Sequence, residues 1–253
     1  MTDNYLGTRI DEDVAVLTLN RPAKLNALDV ATRVQLARTI RHFGTGDLVR
    51  GIVLTGTGRA FSAGEDLQSV PSTYDEIRQA VATFHDITRA ILETQIPVIA
   101  AVNGIAVGGA SEITLSCDGR IGSPAAEYFQ PENHRGIIIS NASSFLLGRL
   151  VRNHAMRIVL GSERIKADEA LRIGLLDEIV AEENLVARAV DTVRQWNSDP
   201  RTTALHLGLL RPRADEIEAA FAREDDAARQ SWESGAFAEG IESFWASKNE
   251  RRR

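Results

Sequence analysis

The segment Pro97-Val-Ile-Ala-Ala-Val102 constrains the fold more than any other. It is short, continuous and apolar on both faces, the pattern of a strand buried inside a parallel sheet. Parallel strands need long crossover connections, usually helices, and the flanking sequence supplies them. Val14-Ala-Val-Leu-Thr-Leu19 and Gly51-Ile-Val-Leu-Thr55 read as two more strands. Between them, Asp29 is placed to N-cap a helix with Val30, Val34, Ala37 and Ile40 on one face. From 74 to 92 the apolar residues Ile77, Val81, Phe84, Ile87 and Ile91 recur at a helical period. Strand and helix signals alternate through Ile121 to Leu176-Asp-Glu-Ile-Val180, which predicts an α/β architecture with parallel crossovers. Beyond Glu182 only helical stretches remain, over 185–196, 201–210, 214–228 and 240–248. Residues 1–181 are therefore expected to form an α/β core, and residues 182–253 a helical C-terminal region. No Pro/Gly/Ser-rich linker separates them, so they are expected to be parts of one folding unit.

Charge and composition exclude several functions. The 253 residues carry 29 basic and 35 acidic side chains, a net of −6. Nucleic-acid binding needs a clustered basic surface, and the one basic run is the tail Arg251, Arg252 and Arg253. Cys117 is the sole cysteine, which rules out an internal disulfide and a cysteine-built zinc site. The first residues lack the basic and apolar regions of a signal peptide. The longest apolar stretch, 96–110, carries Pro97, Asn103 and three glycines, a poor membrane span. A cytoplasmic globular protein without a membrane partner is the expectation.

Familiar motifs fail in informative ways. Gly56-Thr-Gly58-Arg-Ala-Phe61 begins like a dinucleotide fingerprint, but Phe61 stands where the third glycine must let helix and strand pack. Gly109-Ala-Ser111-Glu-Ile113 lacks the closing glycine of a nucleophile elbow. His42, His85, His134, His154 and His206 show no metal-ligand spacing, and no metal is expected.

Two glycine-bearing segments each follow a predicted strand: Phe61-Ser-Ala-Gly-Glu-Asp-Leu67 and Asn103-Gly-Ile-Ala-Val-Gly-Gly-Ala-Ser-Glu112. Glycines that leave a strand and open a helix free backbone N–H groups to point at a bound oxygen. Two such loops on neighbouring strands can supply two converging donors, an oxyanion hole. Glu112 follows Gly109 by three residues and shares its helix face. Glu132 lies in Phe129-Gln-Pro-Glu132-Asn-His134, on a loop after the strand near Ile121. Paired glutamates beside a polarised carbonyl can share a proton and hold a water. In the plainer reading Glu112 caps its helix and Glu132 is solvent-exposed, and spacing alone does not choose between the two.

Together these segments resemble the crotonase superfamily, the enoyl-CoA hydratases and isomerases, and are most similar to the hydratases. Arg21-Pro-Ala-Lys-Leu-Asn-Ala-Leu28 resembles the family's RPxxxNAL signature, and Phe61 to Leu67 its F-x-AGxDL loop. The stretch from Pro97 through Gly108-Gly-Ala-Ser-Glu112 to Cys117-Asp118 resembles its central signature. Gln130-Pro-Glu132, Gly136, Ala167-Asp-Glu-Ala170 and Gly174-Leu-Leu-Asp-Glu-Ile-Val180 follow in the family's order. The resemblance implies the crotonase ββα spiral core and an acyl-CoA thioester substrate. Coenzyme A is then part of the substrate, with no further cofactor. It also implies a homotrimer or a hexamer of paired trimers. Carried over by position, the oxyanion donors are the amides of Glu65 and Gly109, and the catalytic pair is Glu112 and Glu132. Ala23, Lys24, Leu25, Ala63, Asp66, Leu67 and Gly108 fall at substrate- and CoA-binding positions.

Three positions depart from the family pattern: Glu65 where a small residue is usual, Ser140-Asn-Ala-Ser143 in place of a Pro/Gly-rich turn, and Gln68 at an often basic position. Ser140, Asn141 and Ser143 are expected either to cap the following helix or to bond a polar acyl group. Ser140 also stands where the dehalogenase branch needs an aspartate nucleophile. Hydration of a 2-enoyl-CoA is the expected reaction, because both glutamates are present. Isomerisation, hydrolysis of a carbon–carbon bond or thioester, and non-catalytic acyl-CoA binding are the alternatives. Phe237, Ile241, Phe244 and Trp245 form a stripe at helical spacing, expected either to meet another subunit or to pack on its own core.

Overall fold

The computed structural model describes residues 5–66 and 73–250. Leu67, Gln68 and the three terminal arginines, all singled out above, lie outside the described residues. The chain advances by a repeated unit: one strand joins a large sheet, the next joins a small sheet, and a helix returns. The opening pair β1 (Leu6–Asp11) and β2 (Val14–Leu19) leads to α1 (Val30–Gly44). The next turn is β3 (Gly51–Gly56), β4 (Ala60–Ser62) and α2 (Tyr74–Glu93). It is followed by β5 (Val98–Val102), β6 (Ile105–Val107) and α3 (Gly109–Ser116). Then come β7 (Gly119–Gly122), β8 (Glu127–Phe129), α4 (Ser143–Leu150) and the short α5 (Ala155–Val159). β9 (Ile165–Lys166), α6 (Ala167–Ile173) and β10 (Glu178–Ile179) complete the sheets. The helices α7 (Leu185–Trp196), α8 (Pro200–Leu210), α9 (Ala214–Glu233) and α10 (Ala236–Glu250) end the chain.

The large sheet has the order β1-β2-β3-β5-β7-β10, parallel throughout except for the β1–β2 pair. The small sheet, β4-β6-β8-β9, is parallel except at β8–β9. This is the expected ββα spiral. The apolar run in β5 is explained by cover on both faces. Val98 and Ala100 point into the main core with Leu36, Ile40 and Ile87, while Ile99 and Ala101 meet Leu185, Ala189 and Val193 of α7. Fully burying each Val, Ile or Leu is worth about 1.5–3 kcal/mol, so the helix at the start of the C-terminal region forms one wall of the sheet.

Two expectations need correction, and one strand was not expected. Asp29 does cap α1, accepting the Thr32 N–H at 2.8 Å, but the buried face is Arg33, Leu36, Ala37, Ile40 and Phe43, and Val30 is exposed. The glycine segments do not pass straight from strand to helix. Each first adds a three-residue strand, β4 or β6, to the small sheet. The strand β1 was also unread: three of its residues are exposed and it pairs only at the sheet edge.

Candidate active site

The first signature segment and the first glycine loop are stitched together by Asn26. Its Nδ2 lies within hydrogen-bonding distance of the carbonyls of Thr57, Ala60 and Phe61, at 2.8 to 3.2 Å, and its Oδ1 accepts the Arg21 N–H at 2.9 Å. Asparagine suits the left-handed backbone at this position, φ 56°. Backbone bonds continue the seam: Ala63 N–H to Leu25 O, Leu28 N–H to Gly64 O and Asp66 N–H to Leu28 O. This bridge uses the Gly64 carbonyl and the Asp66 amide and leaves the intervening Glu65 N–H out of the ladder. Gly109 begins α3, so its N–H has no acceptor within the helix. The two loops touch. A Cβ on Gly64 (φ +81°) would sit 2.5 Å from the Val107 carbonyl oxygen and 3.7 Å from the Gly109 nitrogen. The glycine at 64 therefore lets the two orphan amides lie in one cleft.

That cleft, a cavity of about 90 Å³, is lined by Ala63, Gly64, Glu65, Gly108, Gly109, Glu112 and Glu132, with Val81, Phe84, Arg135 and Ile138 among the remaining walls. Glu112, in the first turn of α3, is 1 % exposed, and Glu132, before the 3-10 turn Asn133–Arg135, is 9 % exposed. The plainer reading of the two glutamates therefore does not hold. The Glu112 carboxyl receives three donors: Ser140 N–H and Oγ, both at 2.8 Å, and Asn141 Nδ2 at 3.1 Å. Burial, then the neighbouring Glu132 charge, hold its pKa well above the usual carboxylate value despite the Ser140 bonds. Burial also pushes Glu132 up to about 7, against the pull of Arg135. Glu132 Oε2 is buried with no hydrogen-bond partner among the described residues. Its Oε1 rests on Gly108, where a Cβ would meet it at 2.5 Å.

The departures acquire physical explanations. The Glu65 side chain is 39 % exposed and pairs at 3.3 Å with Arg33. Arg33 is itself buried, stacked 4.2 Å over the Phe84 ring, which packs against Gly109. Ser140 and Asn141 give α4 no side-chain cap; they hold Glu112, and Ser140 also lines the cleft. Ser143 instead accepts Gln130 Nε2 at 3.3 Å.

Of the expected substrate contacts, Ala63 and Gly108 line the cleft. Ala23 and Lys24 lie exposed on the turn Pro22–Lys24, and Leu25 is half-buried beside it. Asp66 bonds Arg21 at 2.5 Å. His134 is exposed. The reading of the sequence missed Arg33 and Glu224. Arg33 was detectable, because it opens the stripe 33, 36, 37, 40, where a charge is anomalous. Among the described residues no group of His, Cys, Asp and Glu is arranged to hold a metal, and no helix is long and apolar enough to cross a membrane.

A ββα spiral that brings two loop amides and two buried carboxyls to one cleft defines a crotonase-fold protein. The family model of enoyl-CoA hydratase/isomerase matches residues 9–250, and the chain belongs to that family. It is 38 % identical over 179 residues to a short-chain-enoyl-CoA hydratase of Clostridium acetobutylicum, covering 70 % of this chain and 69 % of that one. It is 28 % identical to a 1,2-epoxyphenylacetyl-CoA isomerase of Escherichia coli, covering 97 % of both. Among solved structures, an enoyl-CoA hydratase/isomerase from Pseudoalteromonas atlantica matches with a TM-score of 0.84 and 27 % identity, covering 96 % of this chain and 98 % of the other.

Proposed function

We propose that this protein is an enoyl-CoA hydratase, adding water across the double bond of a 2-enoyl-CoA thioester. The observation that carries the reading is the pair Glu112 and Glu132, both buried on one cleft beside Gly109, one held by three donors and the other unpartnered at Oε2. The amides of Glu65 and Gly109 bind the thioester oxygen and stabilise the negative charge that develops there as water attacks the β-carbon. Glu112 is oriented by the Ser140 and Asn141 donors, which favour its ionised form against the effect of burial, and it holds the water and takes its proton. Glu132 sits close to neutral pH and delivers a proton to the α-carbon. Two carboxyls whose environments separate their roles are a recurring solution to acid–base chemistry in one site.

The test is hydration of crotonyl-CoA by Glu112→Gln and Glu132→Gln, each shape-preserving. Each is expected to lose roughly 10²–10⁴-fold in rate, with the double variant far less impaired than the product of the singles. Double-bond isomerisation, the other activity in the family's description, predicts instead that one variant stays nearly fully active on a 3-enoyl-CoA. The dehalogenase chemistry named for Arthrobacter relatives is disfavoured, because Ser140 stands where the nucleophilic aspartate is needed and its hydroxyl is bound to Glu112.

A homotrimer, alone or paired, is proposed on a different surface from the one read in the sequence. The stripe on α10 packs within its own chain: Ile241 is buried, Phe237 lies against Trp232, and Phe244 sits under Arg135. The leucines at 205, 209 and 210 on α8 are exposed and supply an apolar contact face. Light scattering that returned a monomer at micromolar concentration would remove this assignment.

A further inference from the structure

Glu224, on α9, is buried at 4 % exposure, and the acid–base chemistry above makes no use of it. Its carboxylate spans the start of α4: Oε2 accepts the Ala142 N–H and Oε1 the Ser144 N–H, both at 2.8 Å. These amides belong to a helix start that has no side-chain cap of its own, since the residue at the cap is Ala142. Burial pushes the Glu224 carboxyl up to about 7, so the fold tolerates a costly group at this point.

The segment it grips is strained. Asn141 and Ala142 are both left-handed, at φ 59° and 57°. Asparagine visits that region with little penalty, but alanine does so at a real cost. The two left-handed residues turn the chain sharply. On the outer side of the turn the amides face Glu224. On the inner side Ser140 N–H, Ser140 Oγ and Asn141 Nδ2 converge on Glu112.

We propose that Glu224 is a positioning residue for Glu112: by holding the left-handed Asn141–Ala142 turn it presents the Ser140 and Asn141 donors to the Glu112 carboxyl. The inference rests on the reading of Glu112 as the group that holds water. A carboxylate is needed because one rigid group must accept from two amides. Glutamine at 224 offers one acceptor and sets an N–H₂ against the other amide.

The experiment is steady-state hydration of crotonyl-CoA by the full chain, the Glu224→Gln variant and the double variant Ala142→Gly/Glu224→Gln. Glu224→Gln is expected to lower kcat roughly tenfold or more, the equivalent of a misaligned contact, with KM within about twofold, because the oxyanion amides are untouched. Glycine at 142 adopts the left-handed conformation without steric cost, so the double variant is expected to recover most of the lost kcat. A merely structural role predicts the opposite, since glycine would loosen the turn further. The inference is overturned if Glu224→Gln keeps the wild-type kcat, if the loss falls on KM, or if Ala142→Gly restores nothing. Should the glutamine variant not fold, Glu224→Asp, too short to reach both amides, replaces it with the same expected split and the same glycine rescue. An unmodified chain that hydrates no enoyl-CoA overturns the hydratase reading itself, whereas hydration indifferent to Glu224 overturns this inference alone.

Discussion

Gly64→Ala tests the oxyanion hole without touching either glutamate. The backbone there has φ +81°, and the added Cβ would lie 2.5 Å from the Val107 carbonyl oxygen. A left-handed L-residue costs roughly 1–2 kcal/mol, and forced overpacking roughly 1–3 kcal/mol. If the loop stays in place the chain loses roughly 2–5 kcal/mol, which for a chain of this size lowers Tm by roughly 4–20 °C. If the loop moves to relieve the clash, Glu65 and Gly109 separate, and the loss of one aligned donor costs roughly 10²–10³-fold in kcat. Calorimetry and hydration kinetics on the same preparation resolve how the penalty divides. Gly58→Ala is the control: its φ is also positive, +74°, but its Cβ meets only Pro22 Cβ at an ordinary 3.6 Å. That variant is expected to lose stability and keep its rate. A folded Gly64→Ala protein with wild-type melting and kcat/KM within twofold would refute the assignment of the two amides.

Glu132→Gln is expected to trade activity for stability. The group sits at about 7 in the folded chain and at about 4.3 when unfolded. Between those values the folded chain binds more protons, so its stability falls as pH rises through that window and stays low above it. The glutamine variant escapes that loss and should exceed wild type by roughly 3–4 kcal/mol at pH 8 and by little at pH 4, measured by urea unfolding. Asn26→Asp should destabilise more than Asn26→Ala, because it sets a carboxylate against the carbonyls of Thr57, Ala60 and Phe61; a higher Tm for the aspartate variant would contradict this. A double-mutant cycle on Arg33 and Glu65 should return a coupling of at most about 1 kcal/mol, since Glu65 is partly exposed; a larger value would show that the pair is desolvated.

Apart from β1, the large sheet was legible because β2, β3 and β5 are five or six residues long and mostly apolar. The small sheet was not: strands of two or three residues display no period, and only their place beside one another in space makes them a sheet. Its spacing from Gly109 made Glu112 a candidate, and the resemblance to the family singled it out. The donors that hold it come from residues 140 and 141, and nothing local links those positions to α3. Arg33 was overlooked because its compensating partners, Phe84 and Glu65, lie on other elements. Glu224 stands in the acidic run Glu-Asp-Asp226, where solvated charge is the ordinary expectation. Its burial follows from the packing of α9 on α4, which no local pattern announces.

The Asn26 seam has a consequence for engineering. An amide with two hydrogens facing three carbonyls and one acceptor facing Arg21 fixes the geometry of both segments it joins. A loop graft between relatives that exchanges 60–66 by itself treats that segment as a cassette. In this chain the cassette is discontinuous. A transplant of 60–66 that leaves 21–28 behind would present the resident asparagine with carbonyls in a foreign register, and the Glu65 amide would be displaced with them. The exchangeable module is the pair of segments, and chimeras should be cut to carry both.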